Sequence, residues 1–72
     1  MKKYLIAVEK TGTGYSACWP DLDRCVATGK TRDEVEREMQ ETIAFHLEGV
    51  ARNGEPIPEP STYSAYVEVP AQ

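Results

Sequence analysis

A chain of 72 residues and 8.0 kDa has room for one domain, 1–72, and at this size folding buries only about 60% of the unfolded chain's surface, so self-association is expected to add stability. The 40% hydrophobic and 28% charged content describes an ordered soluble domain and argues against a disordered one. The net charge of −4 is unevenly spread, with five basic and three acidic groups in residues 1–30 (+2) and three basic and eight acidic in residues 31–60 (−5), which excludes the clustered Lys and Arg that nucleic acid or an anionic membrane requires.

The N-terminus, MKKYLIAVEK, starts basic, but its apolar run ends at Glu9. That is too short for a signal peptide, and no run reaches the roughly 18 apolar residues of a membrane span. A cytoplasmic location is expected, with Cys18 and Cys25 reduced. Residues 4–9 alternate, Tyr4, Ile6 and Val8 against Leu5, Ala7 and Glu9, which predicts a first strand. Thr11-Gly12-Thr13-Gly14 is a glycine-bearing turn of hairpin length. Residues 15–19 alternate again, and Pro20 ends the pairing by removing a backbone donor. Asp21-Leu22-Asp23 reads as a bend and residues 24–28 as a third strand, completing an antiparallel meander.

Thr31 with Glu34 fits a capping box, opening a helix whose first turn also carries Asp33. At 100° per residue Val35, Met39, Thr42, Ile43, His46, Leu47 and Val50 share one face, a stripe that packs on a sheet. Asn53-Gly54 is the expected cap at its end. Glu55-Pro56-Ile57-Pro58-Glu59-Pro60 is neither helix nor central strand, because proline fixes φ and lacks a donor. A helix over residues 31–52 spans about 33 Å at 1.5 Å per residue, and the stiff arm returns the chain along it. Residues 63–69 then alternate as a fourth strand. The expected architecture is α+β, β-β-β-α-β, with one helix on one sheet face and the other face open.

Chemistry is sparse. His46 is the single histidine and lies on the apolar stripe without a nucleophile or orienting carboxylate beside it, so it reads as structural. The Thr-Gly-Thr-Gly turn precedes a strand, unlike a phosphate cradle. A two-metal nuclease site would need grouped carboxylates on the first strand, the helix and the fourth strand; only Glu9 and Glu68 are offered. No catalysis, metal or cofactor is expected.

The run Gly14-Tyr15-Ser16-Ala17, then Pro20-Asp21-Leu22 with Cys25, then Ala27-Thr28-Gly29-x-Thr31 with Glu34, resembles the HicB family of antitoxins. So does His46-Leu47-Glu48-Gly49 followed by Gly54-Glu55-Pro56-Ile57-Pro58-Glu59-Pro60-Ser61. The match covers roughly residues 3–69. The resemblance implies a degenerate ribonuclease-H-like domain without catalytic residues that neutralises HicA, a small basic mRNA-cleaving toxin, by masking its active face. Many members carry a C-terminal DNA-binding domain. With the chain ending at Gln72, the expectation is either a solitary antitoxin-like domain or a chain whose DNA-binding half is missing. Asp23-Arg24 stands where the family usually has Pro-Gly, which affects the loop and not the fold.

The residues themselves suggest a surface. Glu34, Glu38, Glu41, Glu48 and Arg52 fall on one helix flank with Phe45 among them. Like charges three and four residues apart repel, and an aromatic among carboxylates suits an interface anchor with a charged rim. Glu38, Glu41, Phe45 and Glu48 are therefore the candidate contacts for a basic partner; the bland alternative tucks Phe45 under the Pro56–Pro60 arm or over a sheet edge. A second expectation is a homo-oligomer, dimer or higher, formed through the open sheet face and fourth strand and burying Trp19 or Tyr66. A solitary domain binding a small ligand or another regulator is the alternative function.

Overall fold

Period-two alternation builds a sheet and period-3.6 alternation builds its cover. The computed structural model describes residues 2–71, and of Asp23 and Arg24 the backbone alone. Strands β1 (Ala7–Lys10), β2 (Tyr15–Trp19) and β3 (Leu22–Gly29) pair antiparallel in the order β1-β2-β3, and one helix, α1 (Arg32–Arg52), follows. The meander and helix appear as expected, with shifted boundaries. β1 starts three residues late, leaving residues 2–6 outside the ladder. β3 starts at Leu22, so the expected three-residue bend is a tight turn at Pro20 and Asp21, made possible by a register shift at Cys18 and Trp19 that pairs Trp19 with Leu22.

Register assigns the faces. Val8, Ala17 and Ala27 stand opposite one another on the helix side, and Ala7, Cys18 and Val26 form a row on the open side. The core consists of Ala17, Trp19, Cys25, Val35, Met39 and Ile43, with Tyr4, Ile6, Leu22 and Leu47 packed around it. Trp19 is the largest fully buried side chain. Its ring meets Tyr4 edge-on at a centroid distance of 4.9 Å and His46 at 6.0 Å, so His46 serves the aromatic core. The expected place for Trp19 at a protomer interface is thereby corrected: alternation defines two faces, and the helix covers the one that Trp19 occupies. Burial also pushes the Cys25 thiol up from its ordinary range, keeping it protonated and inert at neutral pH.

Thr31 caps α1, its Oγ1 accepting from the Glu34 amide at 3.1 Å. At the other end Gly54 N–H donates to Ala51 O and Glu55 N–H to Val50 O, both 3.1 Å, with Gly54 at φ +72°. This is a Schellman stop, and the positive φ is what requires glycine there. The helix lies over β3 and β2, leaving β1 largely uncovered.

The proline arm crosses one end of the sheet. Tyr4 Oη donates to Pro58 O at 2.6 Å, Lys2 Nζ meets Glu59 Oε1 at 2.6 Å, and the Asp21 carboxylate accepts from the Ser61 amide (3.3 Å), the Ser61 hydroxyl (2.8 Å) and the Thr62 hydroxyl. The Pro20-Asp21-Leu22 and Glu59-Pro60-Ser61 motifs, 40 residues apart, thus meet in one clamp. The Thr62 and then the Ser61 hydroxyl hold Asp21 below its ordinary value of 3.8. A depressed carboxylate contributes its anchoring above that ordinary value and loses it as pH falls through the lower folded value. Acidification below about pH 3.8 is therefore expected to free the arm, and Asp21→Ala to free it at neutral pH. Hydrogen exchange at the Ser61 amide, which donates to Asp21, checks both: unchanged protection in the variant would contradict the clamp.

The expected fourth strand does not form within the chain. Among the described residues the sheet has three strands, and residues 63–71 carry no ladder pairing. The alternation of 63–69 is a strand pattern, but beyond the Asp21 clamp the segment runs exposed and without ladder partners.

Candidate protein-binding site

Helical geometry carries one flank of α1 away from the sheet, on the β3 side. Glu38, Glu41, Phe45 and Glu48 come together there and all four are exposed. Phe45 is 78% exposed, so the alternative in which it tucks under the proline arm does not occur. Burying a side chain of this size stabilises by about 1.5–3 kcal/mol, a gain that this fold leaves unused. Among the described residues, Glu48 is the one carboxylate of the strip with an ion-pair partner, Arg52 at 2.7 Å across one helical turn. Such an exposed pair holds geometry more than energy. Thr42 Oγ1 donates back to Glu38 O at 2.9 Å, which fixes that hydroxyl beneath the strip.

Beside Phe45 lies an open groove of about 460 Å³, with His46, Cys25 and Gly49 on its inner side and Glu48, Arg52 and Glu55 on its rim. Gly49 leaves a notch, since a Cβ there would meet nothing within 4 Å. A helix-interior glycine costs roughly 1 kcal/mol against alanine, and packing offers no reason for this one. From the sequence it reads only as a weak point in the helix; its place beside Phe45 is a matter of tertiary position.

A ring standing proud of a helix, a notch beside it and carboxylates around both can receive an apolar side chain bordered by Lys or Arg. Among the described residues no group of His, Cys, Asp and Glu is placed to hold a metal ion, and none of the described helices is long and apolar enough to cross a membrane. Tyr66 stands on the arm, fully exposed, while Trp19 is in the core; the fold does not bring these two together.

Comparison with known proteins agrees with the motifs. The profile of the family described as "HicB_like antitoxin of bacterial toxin-antitoxin system" matches residues 4–71. An uncharacterized 14.9 kDa protein of the rep-hol intergenic region of Haemophilus phage HP1 is 33% identical over 67 residues, 93% of this chain and 50% of that protein. Antitoxin HicB 2 of Photorhabdus laumondii is 31% identical over 70 residues, 96% of this chain and 50% of that protein. The chain spans about half the length of these curated relatives. No solved structure shows significant similarity to it.

Proposed function

The chain belongs to the HicB-like antitoxin family of bacterial toxin–antitoxin systems, and from that premise we propose that it neutralises a small basic HicA-type mRNA-cleaving toxin in the cytoplasm by binding it through the acidic flank of α1. The observation that supports this reading most is the exposed Phe45 set among Glu38, Glu41 and Glu48. An RNA-cleaving toxin presents Lys and Arg where its substrate's phosphates dock. Carboxylates spaced along a helix offer that surface an alternative set of anions, and the aromatic adds apolar burial that RNA backbone lacks. Inhibition then needs no chemistry from the antitoxin, only occupancy. The meander with its single helix is read as a ribonuclease-H-like core that acts here as a binding scaffold without catalysis.

The partner is to be sought in a short basic open reading frame beside this chain's gene. Growth arrest by that toxin is expected to be relieved by co-expression of the chain. The double variant Glu41→Lys/Phe45→Ala is expected to fold with an unchanged circular dichroism spectrum and to bind at least tenfold more weakly, about 1.4 kcal/mol or more. Toxin affinity equal to that of the parent chain would remove this flank from the mechanism.

A further inference from the structure

We propose that residues 63–69 are a strand exchanged between two copies of the chain, each arm pairing with the free outer edge of β1 in the other copy and covering the apolar groove beside it. Three independent features lead there.

The first is the arm itself. Tyr63, Tyr66, Val67 and Val69 are 84%, 100%, 82% and 76% exposed, on a segment whose alternation puts Tyr63, Ala65, Val67 and Val69 on one side. A lone extended segment of this kind leaves its apolar side chains in water, whereas on a sheet edge it exchanges water for ladder hydrogen bonds and buries one face. The arm also projects: the molecule is 51 Å long, against about 32 Å for the 21 residues of α1.

The second is a receptor of matching shape and chemistry. Because α1 sits over β3 and β2, an open groove of about 380 Å³ runs between the helix and the N-terminal segment leading into β1. Tyr4, Ile6, Ile43, Ala44 and Leu47 make most of its wall apolar, with Lys2, Glu36 and Gln40 completing it. β1 is an edge strand, with β2 as its one neighbour. A strand added there closes the groove with its apolar side and extends the ladder. Tyr66, on the other side, joins the open-face row of Ala7, Cys18 and Val26.

The third is the reason the occupant is a second copy. The arm passes the N-terminal segment leading into β1, at Tyr4 and Lys2, and is then clamped by Asp21 at the turn between β2 and β3. With strands about 4.8 Å apart, the clamp sets the exit point on the far side of β1 from its free edge. The chain's own arm is thus led away from the edge it fits. Reciprocal exchange is a closed two-fold arrangement, which covers both arms and both grooves.

Sedimentation of the full chain without toxin tests the exchange, so its outcome is separable from that of the toxin-binding reading. A dimer is expected at micromolar concentration. Val67→Asp/Val69→Asp, on the exposed arm, and Ala44→Glu, on the exposed rim of the groove, are each expected to give a folded monomer by circular dichroism. Mixing the two is expected to restore a dimer, since one intact arm then meets one intact groove. A parent chain that sediments as a monomer would overturn the proposal. So would a dimer that survives both variants, which would place the contact on the open sheet face, or two monomers that fail to complement.

Discussion

Trp19→Ala is expected to leave the chain without a cooperative thermal transition. The indole is fully buried, the largest such side chain in the protein, and it holds the rings of Tyr4 and His46 in edge-on contact. Removing a buried aromatic costs about 3–5 kcal/mol, the lost transfer energy plus that of the cavity left behind. A domain of this size has a total stability of roughly 4–11 kcal/mol, the lower end being usual where the core is small. The loss is thus comparable to everything the fold has. Far-ultraviolet circular dichroism on heating is the measurement, because the variant has lost its only tryptophan as a fluorescent probe. A sharp transition only a few degrees below the parent would mean that Trp19 is not the centre of the core.

Gly29→Ala is expected to cost about 1–3 kcal/mol by overpacking, a drop on the order of 10 °C at 4–8 °C per kcal/mol. A Cβ at Gly29 would stand 2.7 Å from the Val35 amide nitrogen, 3.0 Å from its Cα and 3.1 Å from its Cβ. None of these can swing away. Val35 is fully buried, and its amide makes the first helical bond, to Thr31 O at 3.0 Å. The end of β3 and the first turn of α1 are simply too close for a side chain, which gives the Ala27-Thr28-Gly29-x-Thr31 motif its physical meaning. Gly12→Ala is the control: nothing lies within 4 Å of its Cβ position, and its φ is not positive. It should be within about 0.5 kcal/mol of the parent, as surface substitutions usually are. Equal effects at the two glycines would contradict the close approach.

Much of this fold was legible because it is local. Alternation over residues 15–19 specified β2, Thr31 with Glu34 specified where α1 starts, and Asn53-Gly54 specified where it stops. Non-local placement was not legible. Tyr15, Ala17 and Trp19 clearly share a face, but nothing in the strand says that α1 covers it, which is why Trp19 reads equally well as an interface residue. The pattern of residues 63–69 states that the segment can be a strand without stating whose. The Asp21 clamp joins residues 40 positions apart and is visible in sequence only as two unconnected motifs. For the candidate site, the helical projection placed Phe45 among the carboxylates, but the angle of a residue is not its exposure. The notch at Gly49 depends on where the helix end lies relative to β3.

The two flanks of α1 divide the work in this account. One flank, with Ile43, Ala44 and Leu47, faces the groove assigned to the exchanged arm; the other, with Phe45 and its glutamates, is assigned to the toxin. The most direct test is a titration of the isotope-labelled chain with the neighbouring toxin, followed by amide NMR. Perturbation is predicted along residues 38–52, strongest near Phe45 and Gly49, with the open-face row of Ala7, Cys18 and Val26 undisturbed. Perturbation centred on that row or on residues 63–69, with the Phe45 region unchanged, would contradict it.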